Sequence, residues 1–235
     1  RPVLARYLEL RRQILGVDQL EAYDLQVPLS EEPERTYDYR EAVEIVLAGL
    51  APLGEQYVSD LRRGFNQRWV DVYETKGKRS GAYSWGAYGS PPVMLMNWNG
   101  TIRDVFTLAH EAGHAMHSFY ADAAQPYHDA GYPIFLAEVA STVNEVLLTW
   151  HLLDQTPEDD HEARLGLLNH FADDFYGTVV RQSQFAAFEK WTHEQVESGQ
   201  PLTLESMNEK YGDLNEVFLP GVNVTDAVRI TWGRI

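Results

Sequence analysis

Apolar positions along this chain recur with two different periods. Leu4, Tyr7, Leu8, Arg11 and Ile14 stand three and four apart, the spacing of one helix face. Residues 1–22 therefore read as helix, or helix plus loop, followed by a linker over 23–37 that holds Pro28 and Pro33. A long amphipathic helix is expected over 38–63, with Ala42, Val43, Val46, Leu47, Leu50, Leu53, Tyr57, Val58 and Leu61 on its apolar face. Pro52 and Gly54 kink or split it. Between 65 and 100 the period changes. Trp69, Val70, Val72 and Tyr73 suggest a short strand, Ser80 to Ser90 is rich in Gly, Tyr and Ser as turns and edge strands are, and Val93 to Trp98 reads as a further strand. Helical periodicity returns over 103–121, 135–153, 161–195 and 203–211, punctuated by Pro157, Pro201 and Pro220. No internal repeat or low-complexity run interrupts it. The expected class is mainly α, with one small β-sheet at about 65–100 ahead of a central helix.

Composition narrows this picture without changing it. The 235 residues suffice for one large domain or two small ones. With 44% hydrophobic and 23% charged residues the chain is of ordinary globular type. No apolar run reaches the roughly 18 residues that span a membrane. The start has no basic, apolar, small-residue pattern of a signal peptide, but it is Arg1 rather than Met, which leaves the true start open. Cysteine is absent, so disulfides and thiolate chemistry are excluded and any metal must be held by His, Asp or Glu. That donor set suits zinc among other ions. The net charge of −16 argues against a nucleic-acid partner. It reads first as solubility, and more sharply as attraction for the basic or amino-terminal groups of peptides.

The run His110-Glu111-Ala112-Gly113-His114 carries the candidate chemistry. Residues four apart share a helix face, so two imidazoles reach one ion. Glu111, beside the first of them, is placed to act as general base on the attacking water. By chance such a run arises in about 2% of chains of this His and Glu content, so the context matters. That context is helical and apolar: Phe106 to Ala109 precede the run, Ala115 to Tyr120 continue it, and Asp104 lies where the helix dipole favours an anion. A buried helix does not tolerate two His and a Glu without partners. Zinc also needs a third protein ligand and an open position. The extended pattern that ends in a third His is missing, since His117 and Tyr120 hold the relevant places. Glu138, in the apolar and small-residue run Phe135 to Glu145, is the candidate third ligand. Glu145 shares its face and could accept a hydrogen bond from the outer nitrogen of a ligating imidazole. His117 is assigned a structural or substrate-facing role. His128, His151, His161, His170 and His193 are scattered and read as surface or loop residues.

The run Phe106-Thr-Leu-Ala-His-Glu-Ala-Gly-His-Ala-Met-His-Ser-Phe-Tyr120 resembles the metal helix of oligoendopeptidase F, of the thimet-oligopeptidase-like zinc peptidases. Phe135 to Glu145 is similar to that family's second metal helix, with Glu138 at the ligand position. Tyr23 to Leu29, Lys76 to Ser84 and Thr178 to Glu189 agree as well, so the resemblance covers essentially the whole chain. It implies a zincin-type helical catalytic domain with a deep channel, the metal site lying within 103–150. It also implies one zinc ion and a cytosolic (cytoplasmic) endopeptidase for short unstructured peptides. The segment Gly81-Ala82-Tyr83 is expected to supply an edge strand on which an extended peptide docks. In the family, a Pro-His-Phe and a tyrosine-rich stretch follow a Trp-x-Arg-Ile sequence, whereas Trp232-Gly-Arg-Ile235 ends this chain. The chain thus resembles the central piece of a longer protein, with flanking parts and the transition-state donors lying outside it.

Two rival readings follow from the same residues. An exopeptidase releasing carboxy-terminal dipeptides would need a cation for the terminal carboxylate, with Lys78, Arg79 and Arg181 as candidates. A non-catalytic zinc-stabilised domain would close the metal with four protein ligands.

Overall fold

The structure is a computed structural model and describes residues 2–30 and 35–235; Arg1 and Pro33, the latter in the expected linker, lie outside them. In chain order the helices are α1 (Pro2–Leu15), α2 (Tyr39–Gly49), α3 (Glu55–Asn66), α4 (Ile102–Ala124), α5 (Ile134–Gln155), α6 (His161–Phe175), α7 (Gln182–Glu197), α8 (Leu204–Phe218) and α9 (Asp226–Arg229). The strands are β1 (Leu20–Glu21), β2 (Val70–Asp71), β3 (Tyr83–Trp85), β4 (Val93–Leu95) and β5 (Val222–Asn223). The class is mainly helical with a small sheet ahead of α4, as the periodicity predicts; the second sheet, β1 with β5, is an addition to that expectation. Among the described residues no helix is long and apolar enough to cross a membrane. The chain divides into two compact units, Pro33–Asp160 and a second formed by Arg1–Glu32 with His161–Ile235.

The central unit is built on the pair α4 and α5. Helix α4 starts at a capping box. Thr101 Oγ1 accepts from the Asp104 N–H at 3.2 Å, and Asp104 Oδ2 accepts from the Thr101 N–H at 2.9 Å. Two orphan amides are satisfied, and the carboxylate sits at the positive end of the helix. Val105, Leu108, Ala109, Ala112 and Ala115 along α4 are fully buried. Most of these are small, so a neighbour can come close. The closest point is Gly113, where an added Cβ would lie 2.7 Å from the Ala140 carbonyl oxygen and 2.7 Å from the Ser141 Cα of α5. Only glycine permits that crossing.

Helix α2 packs its buried Val46, Leu47 and Leu50 beside the pair. The single helix expected over 38–63 is broken where Pro52 and Gly54 predict it. A 3₁₀ turn, Ala51–Leu53, separates α2 from α3. The three-stranded sheet has the order β2-β4-β3. Its central strand β4 runs parallel to β2 (Val70↔Met94) and antiparallel to β3 (Ser84↔Met94). Met94 and Met96 are buried beneath it, and Trp69 lies against Phe119 of α4 with ring centroids 5.4 Å apart. Among the described residues, the outer strand β3 has a strand partner on one edge only.

In the other unit, the segment 1–22, expected as helix or helix plus loop, is helix as far as Leu15. Leu20 and Glu21 instead pair in parallel with Val222 and Asn223, and Leu8, Leu20, Leu219 and Val222 form a core. This sheet joins segments about two hundred residues apart, which no local pattern reveals. The expected helix over 161–195 is α6 and α7 joined by a π-helical turn, Tyr176–Arg181, and the expected 203–211 helix extends to Phe218. Arg11 is 1% exposed and donates to the carbonyls of Asp24 and Val27, tying α1 to the 3₁₀ turn Ala22–Gln26.

Gly113→Ala is expected to destabilise the metal-free protein by about 1–3 kcal/mol, because the Cβ must push α5 backbone away. Gly131→Ala, where nothing lies within 4 Å of the added Cβ, should cost less than about 0.5 kcal/mol. Melting curves followed by circular dichroism compare the two. Equal stability of both variants would contradict the close crossing.

Candidate metal centre

Helix α4 presents His110 and His114 one turn apart on the face toward α5. Their rings meet edge to face, with Nε2 atoms 3.1 Å apart. The Glu138 Oε2 from α5 stands 3.5 Å from each of these nitrogens. Among the described residues this is the one group of His and acidic side chains arranged to hold a metal ion. The separations fit such an ion. Tetrahedral ligands at about 2.0–2.1 Å from zinc stand about 3.3 Å from one another.

The tautomers agree with this. His110 Nδ1 donates to Glu145 Oε1 at 2.7 Å, so Nε2 keeps its lone pair for the centre of the triangle. The His114 ring hydrogen-bonds the Ala137 backbone. Ser141 Oγ donates to Glu138 Oε2 at 2.8 Å and orients that carboxylate. Three protein donors are brought together. The side chains of His110, His114 and Glu138 are 26%, 18% and 46% exposed, so a water or substrate has access to them.

Beside Glu138 on α5, Ile134 and Phe135 are 81% and 83% exposed. Convergence with the two imidazoles is what singles out Glu138.

Glu111 is 6% exposed, and its Oε2 has no hydrogen-bond partner. The Ser84 backbone N–H of β3 donates to its carboxylate. Burial, reinforced by the charges of Glu138 and Glu145, pushes the Glu111 carboxyl up to about 7, against the opposing pull of His110 and Ser84. A carboxyl poised there accepts and releases a proton near neutrality. For His110, burial acts downward, but the hydrogen bond and charge of Glu145, with Glu111 and Glu138 behind it, outweigh burial and raise its pKa. His114 is lowered by burial and by its cationic neighbour His110.

The remaining sequence candidates are dispersed. His117 is not one of the grouped donors; its ring stacks on Tyr132 at 3.7 Å, and burial lowers its pKa. Gly81, with φ of +86°, lies in the turn before β3, and its carbonyl accepts from Asn97 Nδ2 at 2.7 Å. Ala82 follows it, and Tyr83, 46% exposed, opens β3. The edge strand thus begins where the expected docking segment ends. Lys78 Nζ is engaged by Asp71 and by the Tyr73 carbonyl. The Arg79 carbonyl accepts from Asn97. Arg181 belongs to the other unit. Sequence reasoning missed Ser84, Ser141 and Asn144. Only Ser141 left a signal, as a hydroxyl three residues after Glu138 on the same helix.

The profile of Peptidase family M3 matches residues 1–232. Oligopeptidase PepF of Bacillus subtilis is 47% identical over 235 residues, which cover 100% of this chain and 35% of that protein. An oligoendopeptidase F homolog of Lactococcus lactis is 46% identical over 235 residues, covering 100% of this chain and 39% of that one. The chain therefore spans between 35% and 39% of the length of these curated relatives. The crystal structure of oligoendopeptidase-F from Enterococcus faecium superposes with a TM-score of 0.65 at 34% identity, over 100% of this chain and 34% of that one. PZ peptidase A shares the fold, with a TM-score of 0.77 at 18% identity over 99% of this chain and 41% of that one.

Glu145→Gln removes the charge that favours the His110 cation. In the metal-free protein the His110 pKa is expected to fall. An NMR titration of the histidine Cε1–H resonances reads it. A midpoint that stays in place or rises would refute the assigned contact. Zinc affinity should fall about 10- to 100-fold, as for other partners that orient a metal-bound His.

Proposed function

Since the chain belongs to peptidase family M3, we propose that it carries the catalytic centre of a zinc-dependent endopeptidase acting on short, unstructured peptides in the cytosol. The observation that carries this reading is the convergence of His110 Nε2, His114 Nε2 and Glu138 Oε2 beside a buried, proton-accepting Glu111. The printed names of the relatives, oligopeptidase and oligoendopeptidase, support the substrate class. Three grouped donors also favour a catalytic centre over a structural one, which would close with a fourth protein ligand.

His110, His114 and Glu138 would hold the zinc, which supplies Lewis acidity by polarising the scissile carbonyl and acidifying the attacking water. Glu111 takes a proton from that water as its oxygen bonds to the carbonyl carbon. It returns the proton to the amide nitrogen as the C–N bond breaks, so protons balance and the carboxylate is regenerated. The Ser84 N–H of β3 donates to this carboxylate and orients it. An extended peptide would add to the outer edge of β3, next to Tyr83, in the manner of strand addition.

In the full-length protein, Glu138→Gln should abolish stoichiometric zinc in native mass spectrometry. Glu111→Gln should keep zinc and lose about 10²–10⁴-fold or more in turnover of a quenched-fluorescence peptide. The acidic limb of kcat/KM should lie at or below about 7, because activity requires the ionised Glu111 and is lost as pH falls through its pKa. Full turnover in Glu111→Gln would remove Glu111 from the mechanism. Endopeptidase action is checked by mapping products from peptides blocked at both ends, and cleavage confined to free carboxy-terminal dipeptides would replace it with an exopeptidase.

A further inference from the structure

Metal geometry at this site depends on a quantity that packing alone leaves loose. The two histidines come from α4, while Glu138 and Glu145 come from α5. A slide of α5 by one residue moves both carboxylates about 1.5 Å along the pair, against a tolerance of about 0.5 Å for a working site. At the crossing itself the facing residues are Gly113, Ala140 and Ser141. Such small residues allow close approach, but their smooth surfaces resist sliding poorly.

A fully buried polar side chain also crosses this interface, besides the His110–Glu145 contact. Asn144, on α5 directly before Glu145, is 1% exposed. Its Nδ2 donates to the Ala109 carbonyl of α4 at 2.9 Å, directly before His110. A carbonyl only accepts, so the amide orientation is determined. The Tyr57 hydroxyl of α3 contacts the same amide, 3.3 Å from Oδ1 and 3.2 Å from Nδ2. Tyr57 in turn lies beside Tyr120, whose hydroxyl donates to the buried Asp60 at 3.1 Å. Slipping α5 would leave a buried amide without its acceptor, and an unpaired buried donor is costly. Glu138 and Glu145 lie on either side of the crossing, so one lock sets both.

We propose that Asn144 is a positioning residue for the metal centre: its bond to the Ala109 carbonyl sets the register of α5 on α4, and thereby delivers Glu138 and Glu145 to His110 and His114. This rests on the reading of the triad as a metal site. Asn144 touches neither substrate nor metal.

The test uses the full-length protein and Asn144→Leu, which keeps a similar volume and removes the donor without adding a charge. Zinc affinity is measured by chelator competition, coordination by the visible bands of the cobalt-substituted protein, and stability by melting of the metal-free form. The expected result is a loss of about 10- to 100-fold in zinc affinity with altered cobalt bands. Unchanged zinc affinity and cobalt bands, with only a lower melting temperature, would overturn the inference and leave the metal site standing. Absence of zinc binding in the unsubstituted protein would overturn both. If Asn144→Leu does not fold, Asn144→Gln decides by the same two readouts. Its donor sits one methylene further out, so weakened zinc supports the lock and unchanged zinc refutes it.

Discussion

The close crossing of α4 and α5 at Gly113 is the constraint on which the rest of the central unit depends. A hydrogen atom in place of a methyl group lets the α5 backbone at Ala140 and Ser141 approach to contact distance. That separation brings donor atoms of the two helices within 3.5 Å of one another. The capping box at Thr101 and Asp104 starts α4 at the right residue. The buried Val105, Leu108 and Ala112 hold it in the core, and Asn144 links it to α5. Local helix signals, small-residue packing and one buried hydrogen bond therefore act on the same pair of elements.

The electrostatics of the site follow from how unequally its groups are buried. Glu111 is almost wholly enclosed and is raised to about 7, whereas the Glu138 side chain is 46% exposed and faces the two imidazoles. Glu145 sits behind His110 and favours its cation. In the proposed function the three carboxylates would take three different tasks: proton transfer for Glu111, ligation for Glu138 and orientation of a ligand for Glu145. Their environments separate these tasks, since the side-chain chemistry is the same in all three.

Much of this was legible in the chain. The His110 and His114 spacing is a local helical property, so the two imidazoles could be placed together from sequence alone. The break near Pro52 and Gly54, the strands flanking the Gly-rich stretch and the long helices after Thr101 were equally local. Glu138 could be named as the lone carboxylate in an apolar and small-residue run of the next helix, and Glu145 because it shares that helix face. The parallel pairing of Leu20 with Val222 left no local trace, because each partner contributes only two residues and they stand about two hundred apart.

By itself, then, the sequence determined which side chains are available, which of them lie on a common helix face, and where each helix starts or breaks. These are short-range matters of dihedral preference and periodicity. The tertiary structure decided everything that depends on the distance between elements. It set the 3.5 Å from Glu138 to each imidazole, the partnership of Glu145 with His110 Nδ1, and the approach of the Ser84 N–H to Glu111. It also decided which small residues became the crossing point. Such distances arise from the packing of three or more segments at once, and no single segment encodes them.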